Sequence, residues 1–354
     1  MLGKSKATPE VNIPPPLPQL IQNSPLPGIN ALHLSQEACE AIQVSTMDQS
    51  ENPIWFEQRK GRLTASKFYR ICTRTESLIT KKGEDASCLV NEVMLRKQKV
   101  LTYSMKHGLA MEPRAKKKLM EEFKKTHTHV KSREVGLFVN PEHPHIGASP
   151  DYSLECRCHG VFVCEIKCPS SIKSTVPSAH NLEYLQVEPG IGEVPDQVTL
   201  KQRHKYFFQV QGQMAITNIE KAIFFVYTKH GYHMEIINFD PELWGVILKK
   251  LNYFWEKHVL LAIPNDINKA PNENSLLQPV VDKSTIIKDM CGVCHKEVKD
   301  KSSSPTHYGI ACIDCGNWSH ISCVNVTEDQ FRSKKILDWI CPICSPIDFR
   351  ININ

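Results

Sequence analysis

The sequence predicts an α/β protein in which helices flank a central mixed sheet, followed by a small zinc-binding domain. Helix-like and strand-like segments alternate between residues 52 and 263, a pattern typical of a sheet covered by helices. Eight cysteine and histidine residues between 291 and 344 have the close spacing of zinc ligands. The 354 residues suffice for one domain of ordinary size and a smaller one.

Composition divides the chain into five regions. Residues 1–50 are rich in Pro, Gln and Ser, so we expect a largely disordered N-terminal region or linker, with room for a short helix near Ser35 to Val44. The main domain is expected at 51–262, a linker at 263–288, the zinc finger at 289–346 and a tail at 347–354. The N-terminus lacks a signal-peptide core and no apolar run is long enough to cross a bilayer, so neither secretion nor a membrane partner is expected.

Hydrophobic periodicity predicts the elements of the main domain in order. A basic helix is expected from Pro113 to Lys125, with Glu112 at or just before its start because proline suits a first helical turn. A loop near the functional site is expected from Asn181 to Leu200. The other predicted helices are Ile54–Arg62, Ala65–Cys72, Lys201–Thr217 and Pro241–Leu260, and the predicted strands are Glu134–Val139, Ala148–Leu154, Gly160–Lys167, Ala222–Thr228 and His233–Asn238.

Positive charge is concentrated around the basic helix. Residues 92–133 contain 12 Lys or Arg and four Asp or Glu, whereas the whole chain has a net charge of only +5. Such a segment is either a solvated helix face or an electrostatic track for a phosphate backbone. Charge alone leaves both interpretations open.

Two acidic residues and a lysine fall at neighbouring strand ends. Asp151 begins one predicted strand, and Glu165 and Lys167 end the next. A hairpin brings Asp151 beside Glu165, while the alternation of side chains along a strand points Glu165 and Lys167 to one face. Two carboxylates about 4 Å apart repel by roughly 4 kcal/mol at an effective dielectric of 20, and a hard divalent cation removes that repulsion. The alternative is a surface turn with an ordinary salt bridge.

Four sequence blocks resemble the phage lambda exonuclease and YqaJ-like viral recombinase family, which has a restriction-endonuclease-like core and the PD-(D/E)XK signature. They are WFEQRKGRLTAS at 55–66, GLAMEPRA at 108–115, SPD at 149–151 with EIKCP at 165–169, and HKYFFQVQGQM at 204–214. The resemblance covers about two hundred residues with the blocks in the family's order. It implies a metal-dependent DNA nuclease, and specifically a 5′-end-dependent exonuclease acting on duplex DNA with free ends.

The resemblance also implies roles for individual residues. Glu112, Asp151, Glu165 and the backbone carbonyl of Ile166 would bind Mg²⁺ or Mn²⁺, and Lys167 would position or activate the attacking water. The residues that would receive a 5′-phosphate are Arg59, Ser66 and Gln209. The competing interpretations are a helix-surface ion pair for Arg59 and a buried structural amide for Gln209. A catalytically inactive DNA- or chromatin-binding protein is the alternative function, and oligomerisation into a ring stays open.

Cysteines interrupt the predicted hairpin. Cys156, Cys158 and His159, together with Cys164 and Cys168, suggest an extra zinc site. Their spacing is irregular, and Cys164 alternates in direction with Glu165. Structural cysteines are therefore the preferred interpretation.

The C-terminal ligands resemble those of a PHD finger, because the histidine is the fifth ligand; a RING finger would place it fourth, which disfavours ubiquitin ligation. The cross-brace of that family implies one zinc ion on Cys291, Cys294, His320 and Cys323, and a second on Cys312, Cys315, Cys341 and Cys344. PHD fingers imply a nuclear protein that binds a histone tail or a chromatin protein. Trp318 and Tyr308 are candidate walls of an aromatic cage, with simple packing as the competing role of Trp318.

Overall fold

A computed structural model of the chain describes residues 12–24, 32–80, 85–96, 102–190, 195–267, 291, 298, 308–312 and 318–332. Its helices are α1 (Leu17–Gln22), α2 (Gln36–Ser45), α3 (Pro53–Arg59), α4 (Phe68–Ile79), α5 (Ser87–Val93), α6 (Tyr103–Thr126), α7 (Lys205–Thr217), α8 (Pro241–Phe254), α9 (Leu260–Ile267) and α10 (Glu328–Arg332). Its strands are β1 (Leu63–Thr64), β2 (Lys131–Arg133), β3 (Phe138–Val139), β4 (Ile146–Ala148), β5 (Tyr152–Cys156), β6 (Gly160–Lys167), β7 (Leu185–Glu188), β8 (Gln197–Leu200), β9 (Lys221–Thr228), β10 (Gly231–Asn238), β11 (Gly309–Ala311) and β12 (Trp318–His320).

A five-stranded mixed sheet forms the centre of the main domain, as predicted. Its strand order is β10-β9-β6-β5-β2, with β6 and β9 parallel and the other neighbours antiparallel. Successive side chains of β9 point to opposite faces, so Phe224 packs with residues of α7 while Phe225 packs with residues of α6. The sheet is therefore covered by a helix on each face.

A second layer packs beside this sheet. It contains the three-stranded sheet β1-β4-β3 and a core that joins α4 to α8. Gly212 allows α7 to approach this layer closely, since a Cβ atom at Gly212 would lie 2.4 Å from Cε2 of Phe68. The helix α7 consequently contacts both layers.

The expected disordered region at 1–50 is corrected for its described residues, 12–24 and 32–50. Leu17 is 0% exposed within the core, and the carbonyl oxygen of Pro14 accepts a hydrogen bond of 2.7 Å from Nε2 of Gln58. The short helix is present as α2, capped by the hydroxyl of Ser35, and it buries Ile42. The polar and proline-rich composition of the region predicted disorder, because only a few of its residues are apolar and buried. The main domain therefore begins before residue 51.

The basic helix is longer than predicted. Helix α6 begins at Tyr103, where the Thr102 hydroxyl accepts a hydrogen bond from the backbone N–H of Met105. Pro113 lies inside the helix instead of in its first turn, at the cost of one backbone hydrogen bond. Glu112 accordingly lies in the middle of α6. The predicted buried stripe of Ala115, Leu119 and Phe123 is confirmed.

Two further boundaries differ from the predictions. The expected loop from Asn181 to Leu200 contains the hairpin β7–β8, whose Leu185 and Leu200 are buried under α7. The expected linker from residue 263 begins too early, since α9 continues to Ile267 and buries Ile263. In both places a few apolar residues outweigh the polar composition around them. None of the helices in the described part of the chain combines the length and apolar character needed to cross a membrane.

Candidate functional site

The β5–β6 hairpin places Asp151 beside Glu165, as predicted. Tyr152 and Cys164 are partners across the hairpin, and the backbone N–H of Asp151 donates to the carbonyl oxygen of Cys164 at 3.1 Å. The backbone N–H of Ile166 in turn donates to Oδ2 of Asp151 at 2.7 Å. These bonds fix the Asp151 carboxylate against the end of β6.

The Glu165 carboxylate is deeply buried, with 2% of the residue exposed. Its Oε1 atom forms an ion pair with Nζ of Lys167 and accepts a hydrogen bond of 2.8 Å from Nε2 of Gln209. Its Oε2 atom accepts a hydrogen bond of 2.6 Å from Nε2 of Gln213. A buried charge needs such partners, and here β6 and α7 supply them.

Gln213 is a site residue without a predicted role. It is 1% exposed, and within the described part of the chain its Oε1 atom has no hydrogen-bond partner. Gln209 and Gln213 are four residues apart on α7, so both project from one face of the helix. This four-residue spacing is the feature of the sequence that could have identified Gln213 as a site residue. Gln209, predicted to contact a phosphate, instead contacts Glu165 in this structure.

Lys167 is held in its charged form. Burial alone would lower its pKa, but the charge of Glu165, with Tyr206 and Asp151, outweighs burial and raises the pKa above the usual lysine value. The Nζ atom also lies 4.5 Å from the centroid of the Tyr206 ring. A protonated lysine suits holding a water molecule or offsetting phosphate charge better than removing a proton.

The pKa of Asp151 is also raised, which for a carboxyl group favours the neutral form. Burial, followed by the charge of Glu165, raises the pKa of Asp151 well above its usual value, and Glu112 adds to this; Lys167 and the bond from Ile166 oppose it. The carboxyl group is thus in an environment with too little positive charge.

Glu112 approaches the pair from α6. Its Oε1 atom lies 3.1 Å from Nζ of Lys116, which also contacts Oε2 of Glu134 at 2.7 Å. The oxygen atoms of Glu112, Asp151 and Glu165 do not form a group within 4.8 Å of one another in the described part of the chain. The predicted acids therefore face one region without converging as closely as ligands of one ion. Their hard oxygen donors and excess negative charge nevertheless fit Mg²⁺ or Mn²⁺.

The Arg59 side chain lies near the same hairpin. Its Cζ atom is 3.7 Å from the centroid of the Trp55 ring, and Nε1 of Trp55 donates to Oγ of Ser149 at 3.0 Å. Nη2 of Arg59 lies 3.3 Å from Oγ1 of Thr64. Burial lowers the pKa of Arg59 to about 10, which leaves the group charged at neutral pH.

The predicted ion pair is not the role of Arg59 in the described part of the chain, where no carboxylate contacts it. A half-buried guanidinium without an anionic partner is available to a phosphate. Ser66, the third predicted phosphate residue, is exposed on the short helical turn Ala65–Lys67.

Part of the C-terminal finger is described. The ligand atoms of Cys291, His320 and Cys323 lie within 4.8 Å of one another, the grouping expected for the first zinc ion. Cys312, from the second predicted set, is buried. The other predicted ligands, Cys294, Cys315, Cys341 and Cys344, lie outside the described residues.

The predicted aromatic cage is corrected by the register of β11 and β12. Ala311 is the partner of Trp318 and Gly309 is the partner of His320, so Tyr308 and Trp318 belong to opposite faces of this hairpin. Tyr308 stacks on Phe331 with ring centroids 5.4 Å apart. A Cβ atom at Gly309 would lie 3.0 Å from Cε3 of Trp318, which shows that Trp318 packs on its own hairpin. The two aromatic residues are not walls of one cage.

Several solved structures are similar to part of this chain. An alkaline exonuclease from Laribacter hongkongensis is 23% identical over 61% of this chain and 98% of that one, with a TM-score of 0.42. The Shutoff and Exonuclease Protein from Kaposi's sarcoma-associated herpesvirus is 16% identical over 64% and 73%, with a TM-score of 0.41. A SOX–DNA complex is 15% identical over 64% and 72%, with a TM-score of 0.39. No curated protein matches the sequence.

Two family models match the chain. Residues 54–220 match the YqaJ-like viral recombinase domain, and residues 287–346 match the Pygopus, PHD-type zinc finger. The first match lies within the predicted main domain, and the second coincides with the predicted finger to within two residues at its start. The chain therefore joins a YqaJ-like viral recombinase domain, which supports its assignment as a DNA nuclease, to a PHD-type zinc finger.

Proposed function

We propose that this protein is a metal-dependent nuclease that degrades DNA from free 5′ ends. The observation that carries the proposal is the arrangement of Asp151 and Glu165 side by side, with the charged Lys167 on the same buried face. Two buried carboxylates beside a single lysine carry a net negative charge, which is unfavourable away from water. A divalent cation bound between them offsets that charge.

Mg²⁺ or Mn²⁺ would be held by Glu112, Asp151, Glu165 and the carbonyl oxygen of Ile166. Such an ion would offset the negative charge of the phosphate and would lower the pKa of a bound water molecule. Lys167 orients that water or the scissile phosphate through its Nζ atom. Gln209 and Gln213 hold the Glu165 carboxylate in one orientation through both of its oxygen atoms.

Preference for a 5′ end rests on Arg59. The guanidinium is half-buried, charged and without an anionic partner in the described residues, so a terminal phosphate would supply the missing anion. The exposed Ser66 hydroxyl is a second donor for that phosphate. The Gln209 amide, bonded to Glu165, would link the phosphate pocket to the metal site.

Degradation of three linear or closed duplexes tests this function. We expect rapid loss of a duplex with 5′-phosphates, slower loss of one with 5′-hydroxyls, and no loss of a covalently closed circle, in each case with Mg²⁺ and not with EDTA. Cleavage of the circle would make the protein an endonuclease. Binding without degradation of any substrate would favour the catalytically inactive alternative.

We further propose that the finger tethers the nuclease to a histone tail or another chromatin protein in the nucleus. The Pygopus-type match supports a protein-binding role. Calorimetric titration of the full chain with unmodified and lysine-methylated histone tail peptides tests it. Because Trp318 packs against its own hairpin, we expect little discrimination between the methylated and unmodified peptides.

A further inference from the structure

Two cysteine and two histidine side chains meet at the end of the β5–β6 hairpin that lies farthest from Asp151. The ligand atoms of His127, Cys156, Cys158 and His159 all lie within 4.8 Å of one another. We propose that these four residues form a zinc site that ties the hairpin to the end of α6. The proposal concerns a third zinc ion, separate from those of the finger, and it does not depend on the nuclease activity.

Local backbone structure brings the four residues together. Cys156 ends β5 and is the partner of Gly160 at the start of β6, so Cys158 and His159 lie in the tight turn between them. Gly160 has a φ of +80°, a conformation that favours glycine and that closes the turn. His127 follows the last residue of α6, and the backbone N–H of Arg157 donates to the carbonyl oxygen of Thr128 at 3.1 Å. This bond joins the two segments next to the site.

The donor atoms suit zinc in type and spacing. Zinc accepts thiolate and imidazole donors in tetrahedral sites, whereas magnesium and calcium require oxygen. A zinc–sulfur bond of about 2.3 Å in tetrahedral geometry places two sulfur atoms about 3.8 Å apart. The sulfur atoms of Cys156 and Cys158 are 3.5 Å apart. Two thiolates and two imidazoles also give a neutral site.

The His127 ring is already oriented. It stacks on Phe123 with ring centroids 3.7 Å apart and an interplanar angle of 8°. Its Nδ1 atom lies 3.1 Å from the carbonyl oxygen of Phe123 and 2.9 Å from Oγ1 of Thr126. A carbonyl oxygen only accepts, so the contact with Phe123 favours the tautomer that carries its proton on Nδ1. The lone pair of Nε2 is then available to a metal. Histidine ligands usually have this arrangement, with the second nitrogen donating to a carbonyl or carboxylate group.

The other two cysteines of the predicted cluster do not belong to the site. Cys164 is 0% exposed in the core between the sheet and α6. Cys168 lies beyond the opposite end of β6, where Glu112 and Asp151 contribute to its raised pKa after burial. The fourth ligand, His127, is far from the hairpin in sequence, so the spacing of residues 156–168 gave no indication of it.

The zinc content of the full chain tests the proposal. Native mass spectrometry of the wild type should show one more zinc ion per chain than the double variant Cys156→Ser/Cys158→Ser, and the variant His127→Asn should resemble the double variant. The control is Cys88→Ser, which replaces a half-buried cysteine on α5 and should retain the wild-type zinc content. Equal zinc content in the wild type and the double variant would overturn the proposal.

Thiol alkylation of the wild type gives a second test that does not require a variant to fold. Cys158 is exposed, so iodoacetamide should modify it quickly unless a metal holds the thiolate. We expect slow modification of Cys158 in the zinc-loaded protein and at least tenfold faster modification after chelation, measured by peptide mass spectrometry, while the rate at Cys88 stays unchanged. Fast modification before chelation, or a Cys156–Cys158 disulfide in freshly purified protein, would exclude the zinc site.

Discussion

At the scale of single residues, the site combines acids with opposite surroundings. Glu165 has three donors around its two oxygen atoms, whereas burial and two neighbouring acids raise the pKa of Asp151 well above its usual value. One carboxylate is thus compensated by protein groups, and the other requires a positive charge that the described residues do not fully provide. The two acids therefore respond differently to substitution.

The variant Asp151→Asn should lose activity without losing stability. Removal of a metal-binding carboxylate should lower the rate of DNA degradation by about 10²–10⁴-fold, judged from the loss of comparable catalytic groups. The amide removes a buried charge and still accepts the hydrogen bond from Ile166, so the folded protein should be at least as stable at pH 7 without added divalent cation. Glu155→Gln, in the exposed pair with Arg133 on the same hairpin, is the matched control and should retain activity. An active Asp151→Asn enzyme would contradict the assignment.

The pH dependence of stability follows from the same pKa shift. Because the folded-state pKa of Asp151 is raised, its ionised form destabilises the folded protein at pH values above that pKa. The penalty disappears as the pH falls toward the usual aspartate value of 3.8. The difference in Tm between Asp151→Asn and the wild type should therefore shrink on acidification, measured by thermal unfolding from pH 8 to 4. A difference in Tm that stays constant with pH would show that the charge of Asp151 does not destabilise the folded protein.

Gln213 should act through the orientation of Glu165. The variant Gln213→Leu removes the donor to Oε2, and loss of such a supporting group typically costs about 10–100-fold in metal affinity or activity. We expect the Mg²⁺ concentration for half-maximal activity to rise within that range. Gln211→Leu is the control, since Gln211 is bonded to Asn238 and Asp240 away from the acids. It should lower stability and leave the Mg²⁺ requirement unchanged, whereas an unchanged Mg²⁺ requirement in Gln213→Leu would give that residue a purely structural role.

At the scale of elements, the two faces of α6 differ in their surroundings. Its buried face packs on the sheet, while Lys117 and Lys124 are exposed and, within the described residues, form no ion pair. Three other lysines of the helix are paired with acids; Lys118, for example, lies 2.7 Å from Glu122. Lys117 and Lys124 are therefore available to a phosphate backbone.

The double variant Lys117→Gln/Lys124→Gln distinguishes a DNA track from a solvated helix face. If both lysines contact phosphates, the slope of log affinity against log salt should fall in magnitude by about 2, at roughly 0.9 per contact. The matched control is Lys249→Gln/Lys257→Gln, which removes the same charge from exposed positions elsewhere. Fluorescence anisotropy with a labelled duplex measures both slopes. If the two variants had equal slopes of log affinity against log salt, Lys117 and Lys124 would not contact DNA phosphates, and this face of α6 would simply be solvated.

At the scale of the whole molecule, the N-terminal segment belongs to the nuclease domain. Leu17→Ala should lower the free energy of unfolding by about 2–5 kcal/mol, because Leu17 is fully buried in the main core. Leu261→Ala, at a position 68% exposed, should change it by less than about 0.5 kcal/mol. Urea unfolding of the two variants gives the comparison. If Leu17→Ala left the free energy of unfolding unchanged, the N-terminal segment would not be part of the folded domain.

Sequence reasoning succeeded where one local pattern determines the outcome. The alternation in β6 and the two-residue spacing of Glu165 and Lys167 fixed the hairpin and its acidic end. Sequence reasoning failed where contacts between residues far apart in the sequence determine the structure. Pro113 suggested a helix start, but the cap at Thr102 and the packing of Phe123 keep the helix continuous. The meeting of His127 with Cys156, and of Gln213 with Glu165, depends on how α6 and α7 cross the sheet, which no local spacing encodes.

The parallel contact between β6 and β9 has a consequence for biosynthesis. The acidic strand is made long before its partner, because α7 and the β7–β8 hairpin lie between them in the chain. Until α7 leaves the ribosome, the Glu165 carboxylate lacks the amides of Gln209 and Gln213, and until β9 follows, β6 is an unprotected sheet edge. A chain that ends before β9 therefore lacks the strand beside β6 and cannot assemble the complete site.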